Sequence, residues 1–272
     1  MKLGIIAGNR FFPSILARDI KGKFKNNIYL VAICFKRETF PCIRKYVDKD
    51  YWIEVGDLKG LREIIKKEDL REIILAGQIT PARIFKKENW DEELLEIIKE
   101  TDFRSHSIFK KLIDYLEEKE KVKFLDSTFY LKNCLAEEGV MNGLTLNDKQ
   151  REEIEFGKKM VSRFVELDIG QTLVVRNRSV VALESMEGTD NTIRRAYRIA
   201  GKGCTVLKFS KSNQDLRFDV PIVGLVTLDL LKKTKVSSLV LEKQRVIILE
   251  KERFLFLAKR YKIPIVGERR IE

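Results

Sequence analysis

Short apolar runs alternate with helical patterns in the first part of the chain, and this alternation constrains the fold more than any other feature. Residues 3–7, 28–33 and 72–76 are mostly apolar and too short for a helix. Apolar residues at helical spacing lie between these runs. Strands that alternate with helices predict a parallel sheet covered by helices. The N-terminal part is therefore expected to be a Rossmann-like α/β domain.

Glycine-containing turns follow two of the predicted strands. Gly8 and Asn9 come after the first strand, and Gly77 and Gln78 come after the strand at 72–76. Ligands of parallel sheets bind at the carboxyl ends of the strands, so these four residues are candidate substrate contacts. A tight strand-to-helix turn explains the glycines equally well. Because Arg10 interrupts the G-x-G-x-x-G pattern, an ordinary dinucleotide-binding domain is excluded.

The length of the chain, 272 residues, favours two domains over one larger α/β domain. Glycines and asparagines interrupt the apolar periodicity over residues 138–148, which predicts a short linker. We place the boundary near Gly143, giving domains 1–143 and 144–272. The second domain is expected to be α/β as well and to carry the catalytic residues.

The charge balance bears on the class of partner. The net charge is +12, but the 53 basic residues are interleaved with 41 acidic ones, as on a solvated Lys/Glu surface. This mixing argues against a nucleic-acid groove, and no nucleic acid is expected as a partner. The basic excess still favours anionic partners such as phosphorylated substrates and anionic membrane surfaces.

Cysteine and histidine usage argues against zinc and disulfides. The four cysteines show no C-x-x-C spacing, and His106 is the single histidine.

The N-terminal apolar run is too short for a signal peptide, and no window approaches the ~18 apolar residues of a membrane span. The sequence therefore predicts a cytoplasmic protein, soluble or at most peripheral on a membrane.

Acidic, small and basic residues concentrate between residues 167 and 221. Glu184, Glu187 and Asp190 lie close together in sequence, at a spacing that could hold a divalent cation through oxygen ligands. Thr189 and Asp190 stand where a helix is predicted to begin, and helix N-termini bind phosphate. Arg194 and Arg195 add guanidinium groups that match phosphate oxygens. A simple N-cap with solvated arginines remains the alternative. The buried face of this helix is predicted to be Ile193, Ala196, Tyr197 and Ala200.

A second group of charged residues follows the predicted strand 205–207. Lys208 and Gln214 lead to Arg217 and Asp219, which alternation places on one side of an extended segment. Pro221 excludes a central strand position there, so Asp219 is expected at an edge or in a loop. Its carboxylate could bind Mg²⁺ or orient a water, and an ordinary Asp–Arg surface pair is the competing explanation.

The order of these motifs resembles the LpxI-type UDP-2,3-diacylglucosamine pyrophosphatases of lipid A biosynthesis. The resemblance covers nearly the full length and rests on the joint order of pieces that are individually weak. Those pieces are Leu3–Asn9 with Phe12 and Pro13, Ala76 and Gly77, Asp126–Thr128 with Leu131, Leu135 and Gly139, Leu167–Gln171, Glu184 with Glu187–Asp190, Arg194 and Arg195, Lys208 and Lys211, and Gln214, Arg217, Asp219 and Pro221.

What the resemblance implies is a two-domain hydrolase that uses a divalent cation, usually Mg²⁺, to cleave the diphosphate of UDP-2,3-diacylglucosamine. UMP and 2,3-diacylglucosamine 1-phosphate would be the products. The family's critical aspartate matches Asp219. Our own hypothesis makes Asp219 a metal ligand or water-orienting base, with Glu187 and Asp190 as candidate further ligands. The substrate contacts would be Gly8, Asn9, Gly77, Gln78, Gln171, Thr189, Arg194, Arg195, Lys208, Gln214 and Arg217.

The sequence departs from the family pattern in two loops and leaves other functions open. Arg10 stands where a glycine is common, and Ser210 and Ser212 replace prolines. A non-catalytic nucleotide- or phospholipid-binding protein, or a nucleotide-dependent ligase or transferase, would use a similar phosphate cradle. Contact with the inner-membrane surface and a homo-oligomer are also left open.

Overall fold

A computed structural model describes residues 1–80, 83, 90–99, 101–102, 105–211 and 214–271. The chain divides into two compact units. The N-terminal unit comprises Met1–Tyr130 together with Leu216–Asp219, and the C-terminal unit comprises Leu131–Asp215 and Val220–Glu272. Gly143 lies inside the C-terminal unit, and the domain boundary proposed there stays a prediction.

The N-terminal unit is built on a five-stranded parallel sheet. Its strands are β1 (Lys2–Ala7), β2 (Tyr29–Phe35), β3 (Lys49–Ile53), β4 (Glu72–Ala76) and β5 (Lys123–Leu125). They lie in the order β3-β2-β1-β4-β5, and every pairing is parallel. This order matches the first five positions of the doubly wound Rossmann arrangement.

Helices connect these strands. They are α1 (Phe12–Phe24), α2 (Leu58–Lys67), α3 (Glu92–Ile98) and α4 (Ser105–Glu120), with short 3-10 helices at Lys25–Asn27 and Pro41–Tyr46. Asp57 caps α2 by accepting from Gly60 N at 2.8 Å, and Asp91 caps α3 by accepting from Leu94 N at 2.8 Å. Aspartate is a common cap because its carboxylate satisfies the unpaired amides of a helix's first turn.

The C-terminal unit contains a six-stranded mixed sheet and a two-stranded one. Its strands are β6 (Gly139–Val140), β7 (Thr172–Arg176), β8 (Ser179–Leu183), β9 (Thr205–Lys208), β10 (Ile222–Val223), β11 (Ser238–Glu242), β12 (Ile247–Ile248) and β13 (Ile265–Glu268). The larger sheet has the order β6-β13-β11-β9-β7-β8, and β10 pairs with β12. Strands β9, β11 and β13 are parallel, whereas β6, β7 and β8 pair antiparallel.

The helices of the C-terminal unit are α5 (Asp148–Glu166), α6 (Thr189–Ala200), α7 (Leu225–Lys233) and α8 (Lys251–Arg260), with a 3-10 helix at Lys132–Cys134. Asn147 and Gln150 form a reciprocal capping box at the start of α5. Asn177 and Arg178 have φ values of 48° and 55°, so the turn between β7 and β8 uses left-handed residues, a conformation that asparagine adopts readily.

The main sequence-based prediction of fold is confirmed: both halves are α/β, and the N-terminal sheet is parallel. Two local predictions are wrong. Tyr197 is 40% exposed and does not belong to the buried face of α6, which holds Ile193 and Ala196. Leu216–Phe218 form a turn rather than an extended segment, so strand alternation does not apply to them. Within the described ranges, no helix is long and apolar enough to span a membrane.

Candidate functional site

A buried lysine lies where β9 ends and α6 begins. Lys208 is the last residue of β9 and Thr189 the first of α6. Lys208 Nζ donates a hydrogen bond to Thr189 Oγ1 at 2.7 Å, and Thr189 Oγ1 donates to Glu184 Oε1 at 3.1 Å. Thr172 Oγ1 lies 3.1 Å from the same hydroxyl. We call Thr172, Glu184, Thr189 and Lys208 the Lys208 cluster.

The two charged side chains of the Lys208 cluster are joined through the Thr189 hydroxyl and form no direct ion pair. Lys208 is only 5% exposed, and among the described residues no carboxylate oxygen lies within the 4.0 Å of an ion pair with its ammonium. Glu184 Oε2 is buried and has no hydrogen-bond partner there. Buried charged groups are costly unless they are paired. The ammonium therefore suits an incoming anion such as a phosphate oxygen, and Glu184 Oε2 suits an incoming donor or cation.

Gly170 lies against the backbone of Glu184, a member of the Lys208 cluster. A Cβ atom at Gly170 would lie 2.2 Å from the carbonyl oxygen of Glu184, which is far too close. Next to this contact, Glu184 N donates to Thr172 O at 2.8 Å, and Phe209 N donates to Gln171 O at 2.9 Å. The glycine of the 167–171 motif is thus explained by a close approach of two backbone segments.

Replacing Gly170 by alanine should therefore destabilise the protein. We expect the free energy of unfolding to fall by about 1–3 kcal/mol, since the backbone of Glu184 must move to admit the methyl group. Denaturant unfolding measures this change. Gly22→Ala is the matched control, because a Cβ there meets nothing within 4 Å and alanine favours the surrounding helix α1. An equal loss of stability in both variants would contradict the close-approach explanation.

Glu187 and Arg195 form an ion pair at the start of α6. Arg195 Nη2 lies 2.6 Å from Glu187 Oε1 and also donates to the carbonyl of Leu183 at 2.7 Å. Glu187 further accepts from Ser185 N and from the hydroxyl of Thr192. Desolvation is the largest single influence and acts to raise the pKa of Glu187, but the hydrogen bonds from Arg195 and from backbone amides, together with the charge of Arg195, outweigh it and lower that pKa below its ordinary value. The carboxylate is therefore ionised and organises the turn before α6.

The other residues predicted at this helix have local partners too. Thr227 Oγ1 donates to Asp190 Oδ1 at 3.3 Å, and Arg194 donates to Asn191 Oδ1 at 3.1 Å. Glu187 and Asp190 belong to the C-terminal unit, whereas Asp219 belongs to the N-terminal unit. Within the described ranges, no group of three His, Cys, Asp or Glu side chains could hold a metal ion. The metal roles of these three residues stay predictions.

The loop after β9 is held by side chains of the C-terminal unit. Gln214 Oε1 accepts from Lys211 N at 2.7 Å, while Gln214 Nε2 is buried without a described partner. Lys211 pairs with Asp168 at 3.0 Å. Ser210 N donates to Glu242 at 2.6 Å, which gives that serine a structural role where the family has a proline. Ser212 lies outside the described residues.

In the N-terminal unit, the two predicted glycine turns lie side by side. Gly8 N donates to Ala76 O, and Asn9 N donates to Gln78 O, both at 2.7 Å. A Cβ at Gly8 would lie 2.5 Å from Gln78 O, and Gly77 has a φ of 89°. The tight-turn explanation of both glycines therefore holds, and substrate contact by these residues stays a prediction.

Sequence reasoning missed Glu38, which organises these turns. Glu38 is 5% exposed and accepts from Asn9 Nδ2 at 3.0 Å and from Thr80 Oγ1 at 2.9 Å, and it pairs with Arg83 at 2.5 Å. Asn9 Oδ1 is buried without a described partner. No local motif marks Glu38, because it follows a different strand from the residues that it binds. Arg10 has a φ of 65°, which explains why glycine suits this position.

Arg217 and Asp219 lie in the part of the chain that joins the N-terminal unit. Arg217 forms ion pairs with Glu117 at 3.1 Å and with Asp114 at 3.5 Å, both on α4. Sequence reasoning did not identify these carboxylates as partners of Arg217, because they lie 100 and 103 residues away along the chain. The diphosphate role of Arg217 stays a prediction.

Comparison with known proteins places both halves of the chain in one family. The model of the LpxI N-terminal domain matches residues 2–134, and the model of the LpxI C-terminal domain matches residues 137–266. One similar relative is the UDP-2,3-diacylglucosamine pyrophosphatase LpxI of Caulobacter vibrioides. It is 21% identical over 257 residues, which cover 90% of each chain.

Two solved structures show only a limited likeness. N5-carboxyaminoimidazole ribonucleotide synthetase from Thermotoga maritima is 14% identical, with a TM-score of 0.22 over 66% of this chain and 39% of that one. The biotin carboxylase domain of Hydrogenobacter thermophilus 2-oxoglutarate carboxylase is 13% identical, with a TM-score of 0.26 over 73% of this chain and 41% of that one. The chain thus spans about two fifths of each structure, and TM-scores this low do not establish a shared overall fold.

Proposed function

Because the chain belongs to the LpxI family, we propose that it hydrolyses UDP-2,3-diacylglucosamine in lipid A biosynthesis. Water adds across the diphosphate, the P–O–P bond breaks, and UMP and 2,3-diacylglucosamine 1-phosphate leave. The match of both family models along nearly the whole chain is the observation that carries this proposal. The buried ammonium of Lys208, which forms no ion pair with the residues that the structure describes, supports it independently, because a diphosphate would supply an anion.

The proposed roles follow from what phosphoryl transfer requires. Such reactions need neutralised phosphate oxygens and an oriented water, and they need little covalent chemistry from the protein. Lys208 would bind a diphosphate oxygen, held in position by the hydroxyl of Thr189. Arg194, whose described hydrogen bond is to Asn191 alone, would provide a further cationic contact. Asp219 would accept the proton of the attacking water or orient that water.

We further propose that the reaction depends on Mg²⁺. Mg²⁺ is commonly bound by one or two carboxylates plus substrate phosphates rather than by a complete protein cage. The Glu184 carboxylate suits this type of site, because one of its oxygens is buried beside the proposed diphosphate contact Lys208 and accepts no hydrogen bond from the described residues. Both oxygens of Glu187, in contrast, already accept hydrogen bonds. The cation would supply charge neutralisation when it is bound with the diphosphate.

The lipid substrate also implies a location. We propose that the enzyme works in the cytoplasm at the inner-membrane surface, where its +12 net charge favours contact with anionic lipids.

An assay of UMP release by the purified chain tests the proposed function. UDP-2,3-diacylglucosamine should yield UMP in the presence of Mg²⁺, and EDTA should abolish this release. A UDP-sugar without acyl chains serves as the control and should react far more slowly. Absence of UMP under conditions in which a characterised relative is active would overturn the hydrolase, and binding without turnover would indicate the non-catalytic alternative.

A further inference from the structure

The segment Leu216–Asp219 is attached to the rest of the N-terminal unit by contacts of its first three residues. The chain leaves the C-terminal unit after Asp215 and returns to it at Val220. We call the segment between them the strap. Because the strap ends in the carboxylate proposed to act on water, whatever holds the strap also fixes the position of that carboxylate.

Backbone contacts hold the first half of the strap. Ser127 N donates to the carbonyl oxygen of Leu216 at 3.0 Å. The Ser127 hydroxyl lies 2.7 Å from Leu75 O at the end of β4 and 3.0 Å from Arg217 O. Ser127 is only 1% exposed. The strap is therefore tied to the carboxyl edge of the parallel sheet through one buried serine.

Side chains hold the second half of the strap to α4. The Phe218 ring stacks on Phe109 with centroids 5.8 Å apart, and its centroid lies 5.2 Å from that of His106. Phe218 also packs against the apolar core of the N-terminal unit. Aromatic packing of this kind contributes area burial and fixes ring orientation.

Arg217 supplies the polar part of this attachment. Its guanidinium group reaches Glu117 Oε2 and Asp114 Oδ1, which lie about one turn apart on α4. The other oxygen of Glu117 accepts from Phe124 N in β5 at 2.8 Å, so Glu117 is itself held in place. The Arg217 side chain is 24% exposed and that of Glu117 is 30% exposed, so water only partly screens the pair.

We propose that Arg217 is a positioning residue, which acts through Glu117 to hold the strap so that Asp219 stays in its working geometry. It then has no direct part in binding the diphosphate. This inference rests on the proposed function for the role of Asp219, but the attachment of the strap can be measured without any catalysis. Arg217 thus has a function different from phosphate recognition.

The test compares Arg217→Met, Glu117→Gln and the double variant. Glutamine keeps an oxygen for Phe124 N and removes the charge that binds Arg217. We expect each single change to lower kcat about tenfold with KM nearly unchanged, since small displacements of a reacting group cost rate rather than binding. The double variant should be no slower than the slower single variant, because both changes remove the same contact.

Hydrogen exchange at the Ser127 amide provides a readout that does not depend on activity. This amide donates to the strap, so its exchange should accelerate about tenfold or more in Arg217→Met and in Glu117→Gln when the strap opens more often. Arg71→Met is the matched control: Arg71 lies in the same unit, is 68% exposed and pairs with exposed Asp69. It should change neither the exchange rate nor the kinetics.

Direct binding of the diphosphate by Arg217 predicts different kinetics and different hydrogen exchange. If Arg217 binds the diphosphate, Arg217→Met raises KM, Glu117→Gln keeps wild-type kinetics, and the Ser127 amide exchanges at the wild-type rate in both. That result would overturn the positioning role. Absence of turnover in the wild-type chain would instead overturn the proposed function, and the exchange experiment would still decide whether Arg217 and Glu117 hold the strap.

Discussion

Asp219→Asn is expected to lower kcat for UMP release by about 10²–10⁴-fold, the usual loss when a general base or water-orienting carboxylate is removed. Asparagine has nearly the same shape but cannot accept a proton or provide a full negative charge. Circular dichroism and thermal unfolding should be those of the wild-type chain. The kinetic measurement is UMP release at saturating substrate with Mg²⁺ present.

The control for this change is Asp229→Asn, which alters an exposed carboxylate on α7. It should leave both kcat and KM unchanged. A folded Asp219→Asn variant with full activity would remove Asp219 from its proposed role. Arg217 could then hold the strap without any effect on catalysis through Asp219.

Lys208→Met should separate activity from stability. We expect kcat/KM to fall by about 10²–10³-fold, because one preorganised contact to developing phosphate charge is lost. The free energy of unfolding should not fall, since methionine removes a buried ammonium that has a hydroxyl as its described partner. Steady-state kinetics and denaturant unfolding on the same preparation measure the two effects.

The matched control is Lys202→Met, at an exposed lysine of the same unit. It should change neither activity nor stability appreciably. A Lys208→Met variant that loses stability and keeps activity would show that the Lys208 cluster is a structural feature. Loss of both would leave the phosphate role unsupported, because unfolding alone could explain the lost activity.

Local signals explain which parts of the fold could be read from the sequence. Buried parallel strands are continuous apolar runs, so β1, β2 and β4 are visible directly. The cap at Asp57 and the turn at Asn177 also have local signals, because capping and left-handed turns depend on residues that are neighbours in sequence. Tyr197 was misjudged because helical periodicity identifies a face of the helix but not how far the core extends along it.

For the candidate site, residue types could be recognised from the sequence but the contacts between residues could not. Its residue types and their order, from Gly170 and Thr189 to Lys208 and Asp219, were recognisable because motif residues keep their spacing along the chain. The partners of those residues were not recognisable. Glu38 binds Asn9, and Glu117 binds Arg217, across sequence separations that no local pattern records.

The sequence by itself determined the α/β class, the family and the motif between residues 167 and 221. Only the tertiary structure decided that Leu216–Asp219 belongs to the N-terminal unit. It also decided that Lys208 is buried without an ion-pair partner in the described part of the chain, and that Gly170 lies against the backbone of Glu184. The physical reason is that periodicity and capping arise from adjacent residues. Burial, ion pairing and close backbone approach depend on segments that meet only after the chain has folded.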